Sequence, residues 1–426
     1  MTQKHLLLGL IGIAIGIFSY LQITKERTGL VAEEALIETS TTEVIADDNG
    51  SQTDTGTSSS EVLIDENSTT QTSTSTSPVE PVEPEPSSEP KEPLNVVATD
   101  LTIPWDIAFL PNGDLLVTER VGRIVRITPT GDKTVVADVS VETVGEAGLL
   151  GLVLHPDYSS NQYLYLYRTT NVESLIVNRV ERYQFDATTN ELSPPTIIID
   201  GIPGAKYHDG GRMAFGPDQK LYITTGDAVN EQIAQDLDSL GGKILRLNAD
   251  GSIPADNPFP DSPVYSYGHR NPQGLAWDGR GRLWSTEHGP SLPTHCCRDE
   301  VNLIEAGGNY GWPEISGAQT RAGLIAPYAH SGNSETWAPG SLAIIGDVLY
   351  FGGLRGEALY QLPIRFDSEV AETGDLLKYF TGEYGRIRTV IAGPDGYVYI
   401  TTSNRDGRGR VQAGDDKIIR IDPVSF

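Results

Sequence analysis

Cysteine is almost absent from this chain of 426 residues. Only Cys296 and Cys297 occur, and they are neighbours in the sequence. A small secreted scaffold held by disulfides needs several spaced cysteines, and a multi-cysteine zinc site needs several cysteine ligands. The sequence therefore excludes a disulfide framework and a multi-cysteine zinc site.

Positive charge is also scarce. The chain has 31 Lys and Arg residues against 58 Asp and Glu residues, which gives a formal net charge of −27. A surface that follows a phosphate backbone needs clustered Lys and Arg, so no nucleic-acid partner is expected. Apolar residues make up 38% of the chain, with 45 Gly and 27 Pro, and this composition is typical of a turn-rich β protein that carries a disordered piece.

Long hydrophobic runs are absent except near the N-terminus. Residues 6–23 form one apolar stretch, which Lys25 and Arg27 follow. A run of about 18 residues is near the lower limit for a membrane-spanning helix and long for the core of a signal peptide. No A-x-A-like cleavage site follows it. We interpret residues 1–30 as an uncleaved membrane anchor in preference to a cleaved signal peptide, and we expect an extracytoplasmic protein, membrane-anchored or secreted.

Residues 31–93 differ from the rest of the chain in composition. From residue 33 to residue 93 the chain is dominated by Ser, Thr, Glu and Pro, and it contains 15 acidic residues against one Lys. With so few large apolar side chains, this segment cannot offset the entropy that folding would cost. We predict a disordered acidic linker that holds the remaining domain away from a membrane or wall.

Residues 94–426 contain a repeated pattern. A short apolar strand leads into a tight turn and then an alternating strand that often ends in Thr or Ser. The pattern starts at six places: Trp105, Leu149, Arg212, Gln273, Ser341 and Ile387. Turns such as Asn112-Gly113 suit β-hairpins, because these need positive φ angles. No amphipathic helix of ten residues is evident here.

Six units of roughly 55 residues, each with about four short strands, favour an all-β fold. We predict a six-bladed β-propeller over residues 94–426, because radial closure removes exposed sheet edges without a helical layer. A pair of β-sandwiches is the alternative. In a propeller, loops at one end converge on the central channel, so polar residues in the loops next to the blade strands are candidates for a site.

Several such loops carry polar and charged residues. Four arginines lie beside them in three repeats, although the chain as a whole is acidic: Arg270, Arg355, Arg386 and Arg388. This grouping indicates a basic pocket for an anionic ligand.

These loops also carry longer motifs, namely HDGGRMAFGPDQKLYITTGD from His208, GHRNPQGLAW from Gly268 and NYGWP from Asn309. In these motifs, and in colinear order over the whole propeller region, the chain resembles the glucose/sorbosone dehydrogenase family. The resemblance implies a six-bladed propeller with pyrroloquinoline quinone (PQQ) and calcium in its central cleft. It also implies oxidation of aldose sugars to lactones, with an external electron acceptor.

The resemblance assigns catalytic roles to two residues. His208 lies at the position of the catalytic base, and Arg270, with Asn271, matches the pair that contacts the quinone carbonyls. Histidine suits this role, because the pKa of its free imidazole is near ~6.5. An arginine against the quinone oxygen would stabilise the negative charge that develops there.

The remaining cofactor positions differ in part from the family. Arg386 and Arg388 match arginines that face PQQ. Arg355 stands where the glucose enzymes have Lys, which keeps the charge and changes the geometry. Glu146 stands where they have Gln, so it places a carboxyl group near an acidic cofactor unless it is protonated or faces calcium.

The resemblance also implies two calcium sites. Gly289 and Pro290 match backbone carbonyls that bind the calcium of the cofactor, while Glu300 and Tyr310 match a separate structural site. Oxygen ligands of this kind suit calcium, which is a hard cation.

The sequence leaves several alternatives open. Cys296 and Cys297 form either a rigid vicinal disulfide beside the cofactor loop or two reduced thiols. A binding-only propeller ectodomain and a lactonase-type hydrolase are the alternatives to a dehydrogenase. His208, Arg270 and Arg388 favour the dehydrogenase over the binder, and a carbonyl metal site at Gly289-Pro290 disfavours the hydrolase. The sequence does not indicate which sugar is used or the oligomeric state.

Overall fold

The computed structural model describes residues 94–291, 296–364 and 376–425. The predicted anchor (1–30) and linker (31–93) lie outside these ranges. Within them, helix is limited to α1 (Tyr158–Asn161) and two 3₁₀ segments, Glu231–Ala234 and Pro423–Ser425. None of the helices in these ranges has the length and apolar character needed to cross a membrane. The short helices of the described repeat region agree with the sequence.

Almost all the regular structure consists of short strands. The chain begins with β1 (Leu94–Ala98). The first blade contains β2 (Pro104–Phe109), β3 (Leu115–Glu119), β4 (Arg123–Ile127) and β5 (Lys133–Asp138). The second contains β6 (Leu149–Leu154), β7 (Tyr163–Val172), β8 (Leu175–Asp186), a short β9 (Glu191–Leu192) and β10 (Thr196–Pro203). The third contains β11 (Met213–Phe215), β12 (Leu221–Thr225), β13 (Lys243–Leu247) and β14 (Val264–Tyr267).

The other three blades follow the same scheme. The fourth contains β15 (Pro272–Trp277), β16 (Leu283–Glu287), β17 (Glu300–Ile304) and β18 (Ala329–His330). The fifth contains β19 (Pro339–Ile345), β20 (Val348–Gly353), β21 (Leu359–Pro363) and β22 (Leu377–Tyr379). The sixth contains β23 (Ile387–Ala392), β24 (Val398–Thr402), β25 (Ile418–Ile421) and, as its outer strand, β1.

The six sheets close into a ring. The first strand of each blade contacts the first strand of the next, in the order β2, β6, β11, β15, β19 and β23, and β23 returns to β2. The predicted six-bladed propeller is therefore confirmed, and the pair of sandwiches is excluded. The ring is fastened by β1, which pairs antiparallel with β25 from Leu94 opposite Ile421. This pairing joins the start of the domain to its end, because the first strand of the chain completes the last blade.

The hydrophobic core lies between the faces of neighbouring blades. Second strands such as β3, β12, β16 and β24 are buried at every residue, because each blade is covered on both faces. One cluster joins blades 2 and 3 through side chains such as Tyr165, Ile223 and Leu245. Burying an aliphatic side chain of this size stabilises the fold by roughly 1.5–3 kcal/mol. The blades therefore stabilise one another through these contacts.

The strand directions place the functional loops at one end of the propeller. Every blade is antiparallel, so the segment before its first strand and the loop between its second and third strands lie at the same end. The hairpins between first and second strands, such as the turn at Asn112-Gly113 with Gly113 φ at +89°, lie at the opposite end. We call the first of these the site end.

Candidate functional site

A histidine and an aspartate meet at the site end of blade 3. His208 lies in the segment before β11, and Asp227 lies just after β12. The Nδ1 atom of His208 is 2.7 Å from Oδ1 of Asp227. The same carboxylate accepts hydrogen bonds from the indole Nε1 of Trp312 (2.8 Å) and the amide of Val229 (2.9 Å). These donors hold Asp227 in one orientation.

The charge state of Asp227 determines which tautomer His208 adopts. Burial alone would raise the pKa of Asp227, but the hydrogen bond and charge of His208 and the charge of Arg270 bring it below its ordinary value. An ionised carboxylate keeps a proton on Nδ1 of His208 and leaves Nε2 as the proton acceptor. Asp227 was missed in the sequence, although it ends the quoted motif that begins at His208.

Arg270 and Asn271 lie next to this pair, between β14 and β15. The guanidinium carbon of Arg270 is 5.4 Å from the ring centroid of Trp312, and the carbonyl of Arg270 accepts the amide of Asp227 at 2.8 Å. Asn271 Oδ1 accepts the amide of Gly210 at 3.0 Å. The buried Nδ2 of Asn271 has no hydrogen-bond partner among the described residues. A ligand atom or an ordered water could partner this donor.

A second group of charged side chains comes from blade 6. Arg386 donates through Nε (3.0 Å) and Nη2 (2.8 Å) to one oxygen of Asp406, in the loop after β24. Arg388 on β23 donates to Ser403 Oγ at 3.2 Å, and its guanidinium is 3.7 Å from Asp406. The carboxylate of Asp406 is therefore shared by the guanidinium groups of Arg386 and Arg388.

The charge balance of this group favours an anionic ligand. Burial lowers the pKa of Arg388 to about 9; Asp406 opposes this change, and the charges of Arg120 and Arg386 add to it. Arg388 remains a cation near neutral pH, and with Arg120 and Arg386 it makes three guanidinium groups against the two carboxylates of Asp406 and Glu146. An anion would relieve this imbalance. Arg120, at the end of β3, and Asp406 were missed in the sequence.

Arg355 lies beside this group, but its side chain is exposed. Its amide donates to the carbonyl of Trp337 at 3.2 Å, and the preceding carbonyl, of Leu354, accepts Arg386 Nη1 at 2.7 Å. The structure therefore places Arg355 at the rim and Arg386 inside.

The carboxyl group of Glu146 is ionised and forms an ion pair. Its Oε1 accepts Arg408 Nη1 at 2.8 Å, and its Oε2 accepts the amide of His208 at 3.3 Å. Burial would raise the pKa of Glu146, but the charge of Arg408 and its hydrogen bond hold it well below its ordinary value. Arg408 lies 262 residues away in sequence, in the Arg-rich stretch 405–410. The pair of Glu146 and Arg408 is internally neutral, so Glu146 adds little net repulsion toward an acidic ligand.

The four predicted metal ligands line one small pocket, together with Glu287: Gly289, Pro290, Glu300 and Tyr310. Glu300 already accepts the amide of Gly317 at 2.7 Å and Asn302 Nδ2 at 3.2 Å. Burial, and after it the charge of Glu287, raises the pKa of Glu300. In the part of the chain that the structure describes, no group of three or more His, Cys, Asp or Glu side chains is placed to hold a metal. A calcium ion at this pocket would therefore depend in part on backbone carbonyl oxygens.

The loop of Gly289 is fixed by its neighbours. The Gly289 amide donates to Asp299 Oδ1 at 2.9 Å. A Cβ at position 289 would lie 2.0 Å from the Cys297 carbonyl oxygen, so only glycine fits. Cys296 and Cys297 form a disulfide here, which is one of the two alternatives that the sequence left open.

His288 is a further residue that sequence reasoning missed. Its buried Nε2 has no partner among the described residues. Burial lowers the pKa of His288 to about 3; the charges of Arg270 and Arg388 act in the same direction, and that of Glu146 acts against them. The imidazole is therefore neutral, and it offers the cleft one more atom that can bond a ligand.

Comparisons with known proteins agree with this geometry. The family model for glucose/sorbosone dehydrogenase matches residues 101–413. The quinoprotein glucose dehydrogenase B of Acinetobacter calcoaceticus is 36% identical over 274 residues, which is 56% of each chain. The aldose sugar dehydrogenase YliI of Escherichia coli is 31% identical over 74% of this chain and 91% of its own length.

A solved structure extends the likeness to the fold. The PQQ-bound aldose sugar dehydrogenase of Streptomyces coelicolor is 43% identical, with a TM-score of 0.71, over 77% of this chain and 97% of that one. The family match covers well over half of the chain, and it includes His208, Asp227, Arg270 and the blade 6 arginines. The chain belongs to the glucose/sorbosone dehydrogenase family.

Proposed function

We propose that this protein is a PQQ- and calcium-dependent dehydrogenase that oxidises aldose sugars at the anomeric carbon to lactones and passes the electrons to an external acceptor. The observation that carries the proposal is the hydrogen bond from His208 to Asp227, beside Arg270. The buried guanidinium groups of blade 6, which outnumber the carboxylate they share, lie in the same cleft. An acid–base pair and an anion site in one cleft are what a sugar dehydrogenase with an acidic quinone needs. The related PQQ-bound enzyme supports the choice of cofactor.

The residues present fit this cofactor. Arg386 and Arg388 share the single carboxylate of Asp406, so together they supply a net positive charge for the carboxylates of PQQ, and the unpartnered Nδ2 of Asn271 supplies a buried donor. The carbonyl oxygens of Gly289 and Pro290 would hold calcium, because this ion takes oxygen ligands. When bound, PQQ would supply the two-electron oxidant, and calcium would polarise it.

The side chains of this protein perform the proton chemistry. Oxidation of a hemiacetal requires loss of the hydroxyl proton as hydride leaves the carbon. Nε2 of His208 accepts that proton, and the Asp227 carboxylate stabilises the imidazolium that forms. The guanidinium of Arg270, held over Trp312, stabilises negative charge that develops opposite the base.

Reconstitution tests the proposal directly. The full chain, freed of metal, is mixed with PQQ and calcium and offered a panel of aldoses with an artificial dye acceptor. Dye reduction that needs both PQQ and an aldose is expected. Folded protein that reduces no dye with any sugar would favour a binding-only propeller, and metal-dependent lactone hydrolysis would favour a hydrolase.

Metal dependence provides a second test. Exhaustive chelation is expected to lower the affinity for PQQ and abolish activity, with restoration by calcium rather than zinc, because carbonyl oxygens suit the harder ion. Full activity in a sample shown by metal analysis to contain no calcium would contradict the Gly289-Pro290 site.

The cellular setting is part of the same proposal. Residues 1–30 would place the domain outside the cytoplasm, membrane-anchored or secreted, with the linker 31–93 between this segment and the propeller. Fractionation of the host's membranes, followed by mass spectrometry of the N-terminal peptide, distinguishes an anchor from a cleaved signal.

A further inference from the structure

A buried chain of hydrogen bonds ends at the backbone of Arg270. Glu287 is the last residue of β16, and its Oε1 accepts the amide of Arg270. Its other oxygen is 2.9 Å from Nδ1 of His269, and Nε2 of His269 is 2.8 Å from Ser266 Oγ. Glu287 thus contacts both residues that precede Asn271.

The connectivity of this chain is that of a hydrolytic triad, but its burial excludes that chemistry. Ser266 and His269 are each 0% exposed, and Glu287 is 4% exposed. A nucleophile must meet its substrate, and no substrate reaches Ser266 at this depth. The neighbour of the chain that the proposed reaction uses is Arg270.

Glu287 also lies between the two segments of the proposed cofactor site, the one that carries Arg270 and Asn271 and the loop that carries His288 and Gly289. The amide of His288, its neighbour, donates to the carbonyl of Asn271 at 3.2 Å, and Arg270 Nη1 is 3.4 Å from the carbonyl of His288. The ring of His269 stacks on Tyr310 with centroids 4.7 Å apart, which fixes the imidazole. A shift of Glu287 would therefore move the arginine and the Gly289 loop relative to each other.

We propose that Glu287, held by His269, is a positioning residue that sets the backbone of Arg270 and thereby aims its guanidinium at the reacting cofactor. This inference rests on the proposed function, because Arg270 matters only if it stabilises charge there. The action is through reach rather than charge: the carboxylate must extend far enough to accept the Arg270 amide. A misplacement of about 1 Å in such a group can cost on the order of 10²-fold in rate.

Two matched substitutions separate reach from charge. Glu287→Gln keeps the reach and loses the charge; the amide oxygen still accepts Arg270, and the amide nitrogen donates to His269, which moves its proton to Nε2 and donates to Ser266. Glu287→Asp keeps the charge and is one methylene shorter, so it cannot reach the Arg270 amide from the same backbone. Glu181→Asp, a buried carboxylate in blade 2 paired with Arg168 at 2.7 Å, is the control for shortening alone.

The first measurement is hydrogen exchange of the Arg270 amide in the apoprotein, which needs neither cofactor nor activity. Exchange is expected to be about tenfold faster in Glu287→Asp than in wild type, as for the loss of one buried hydrogen bond, and unchanged in Glu287→Gln and Glu181→Asp. Wild-type exchange in Glu287→Asp would overturn the proposal.

The second measurement is steady-state dye reduction at saturating PQQ, with cofactor affinity from absorbance titration. Glu287→Asp is expected to lower kcat on the order of 10²-fold with little change in the KM for sugar, while Glu287→Gln stays close to wild type. An equal loss in both variants would show that charge is what matters and would overturn the proposal. An inactive wild type would refute the proposed function, and the exchange data would still decide whether Glu287 sets Arg270.

Discussion

Two buried carboxyl groups, one on each side of the cleft, are held in opposite ways. On the blade 6 side, Asp406 lies against Arg386 and Arg388, whose charges overcome the effect of burial and lower its pKa. On the blade 3 side, Asp209 follows His208 with no guanidinium partner among the described residues, and burial raises its pKa to about 7, although Asn178 and the amide of Ala205 donate to it. Asp406 is therefore held as an anion beside the arginines, while Asp209 can gain and lose a proton near neutral pH.

The largest expected effect is a loss of turnover when the proposed proton acceptor is removed and the anion site is left intact. His208→Ala is expected to lower turnover on the order of 10²–10⁴-fold, the usual contribution of a positioned base. Affinity for PQQ should persist, because the blade 6 arginines remain. The measurements are dye reduction and absorbance titration with PQQ. Near-normal turnover in this variant would refute the mechanism.

The next largest expected effect is weaker PQQ binding when one arginine of the anion site is removed and the proton acceptor is left intact. Arg388→Ala removes a buried cation and is expected to weaken PQQ binding about 10- to 100-fold, as for one charge-assisted contact. Turnover at saturating PQQ should be retained. The control is Arg420→Ala, which removes an arginine that pairs with Asp395 at 2.7 Å in the first hairpin of blade 6, at the opposite end. If both variants bind PQQ equally well, Arg388 does not contact the cofactor.

A pH experiment sharpens the comparison between the two carboxyl groups. Asp209 binds its proton more tightly in the folded state, so the folded state loses stability as pH rises from about 4 through about 7. Asp406 has the opposite sign, and its contribution is lost as pH falls below its unfolded pKa. Between pH 5 and pH 8 the wild type should lose stability through Asp209, and Asp209→Asn should not. The free energy of unfolding of the variant, relative to that of the wild type, should therefore be higher at pH 8 than at pH 5 by on the order of 1–2 kcal/mol. Thermal unfolding of both proteins at the two pH values measures this. An equal change in both would show that Asp209 titrates normally.

The smallest expected effect concerns the ion pair that crosses between the two sides. Glu146→Gln keeps an acceptor for the His208 amide but releases Arg408 from its partner. Pairs with an exposed member contribute little, so PQQ affinity should rise only a few-fold through the added positive charge. The effect should shrink at high salt. Weaker PQQ binding in this variant would mean that the Glu146 carboxylate itself serves the cofactor or its calcium.

Local patterns in the sequence are enough to predict the blades. The turn at Asn112-Gly113 and the alternating strands depend on neighbouring residues, so the six repeats can be counted along the chain. His208, Arg270 and Arg388 were assigned through the resemblance to the glucose/sorbosone dehydrogenase family, which matches them position by position. Their roles in the reaction stay predictions.

The partners of these residues are not readable in the same way. Asp227 is 19 residues from His208, and Trp312 is 85 residues from Asp227, so no periodic pattern joins them. The carboxyl group of Glu146 is unfavourable for an acidic cofactor unless Arg408 lies against it, and only the structure shows that contact. Nothing in the spacing of His288 shows that its ring lies in the cleft.

By itself, the sequence determined the class of fold, the number of blades and the residue types offered to the cleft, because hairpins and strand faces follow from local chemistry. Only the tertiary structure decided which charges cancel, which polar atoms remain unpartnered and which backbone Glu287 holds. Those properties depend on contacts between blades that meet only when the ring closes, and closure itself depends on β1 pairing with β25 at the other end of the domain. Burial then sets the proton affinity of each group, and burial is a property of the closed ring.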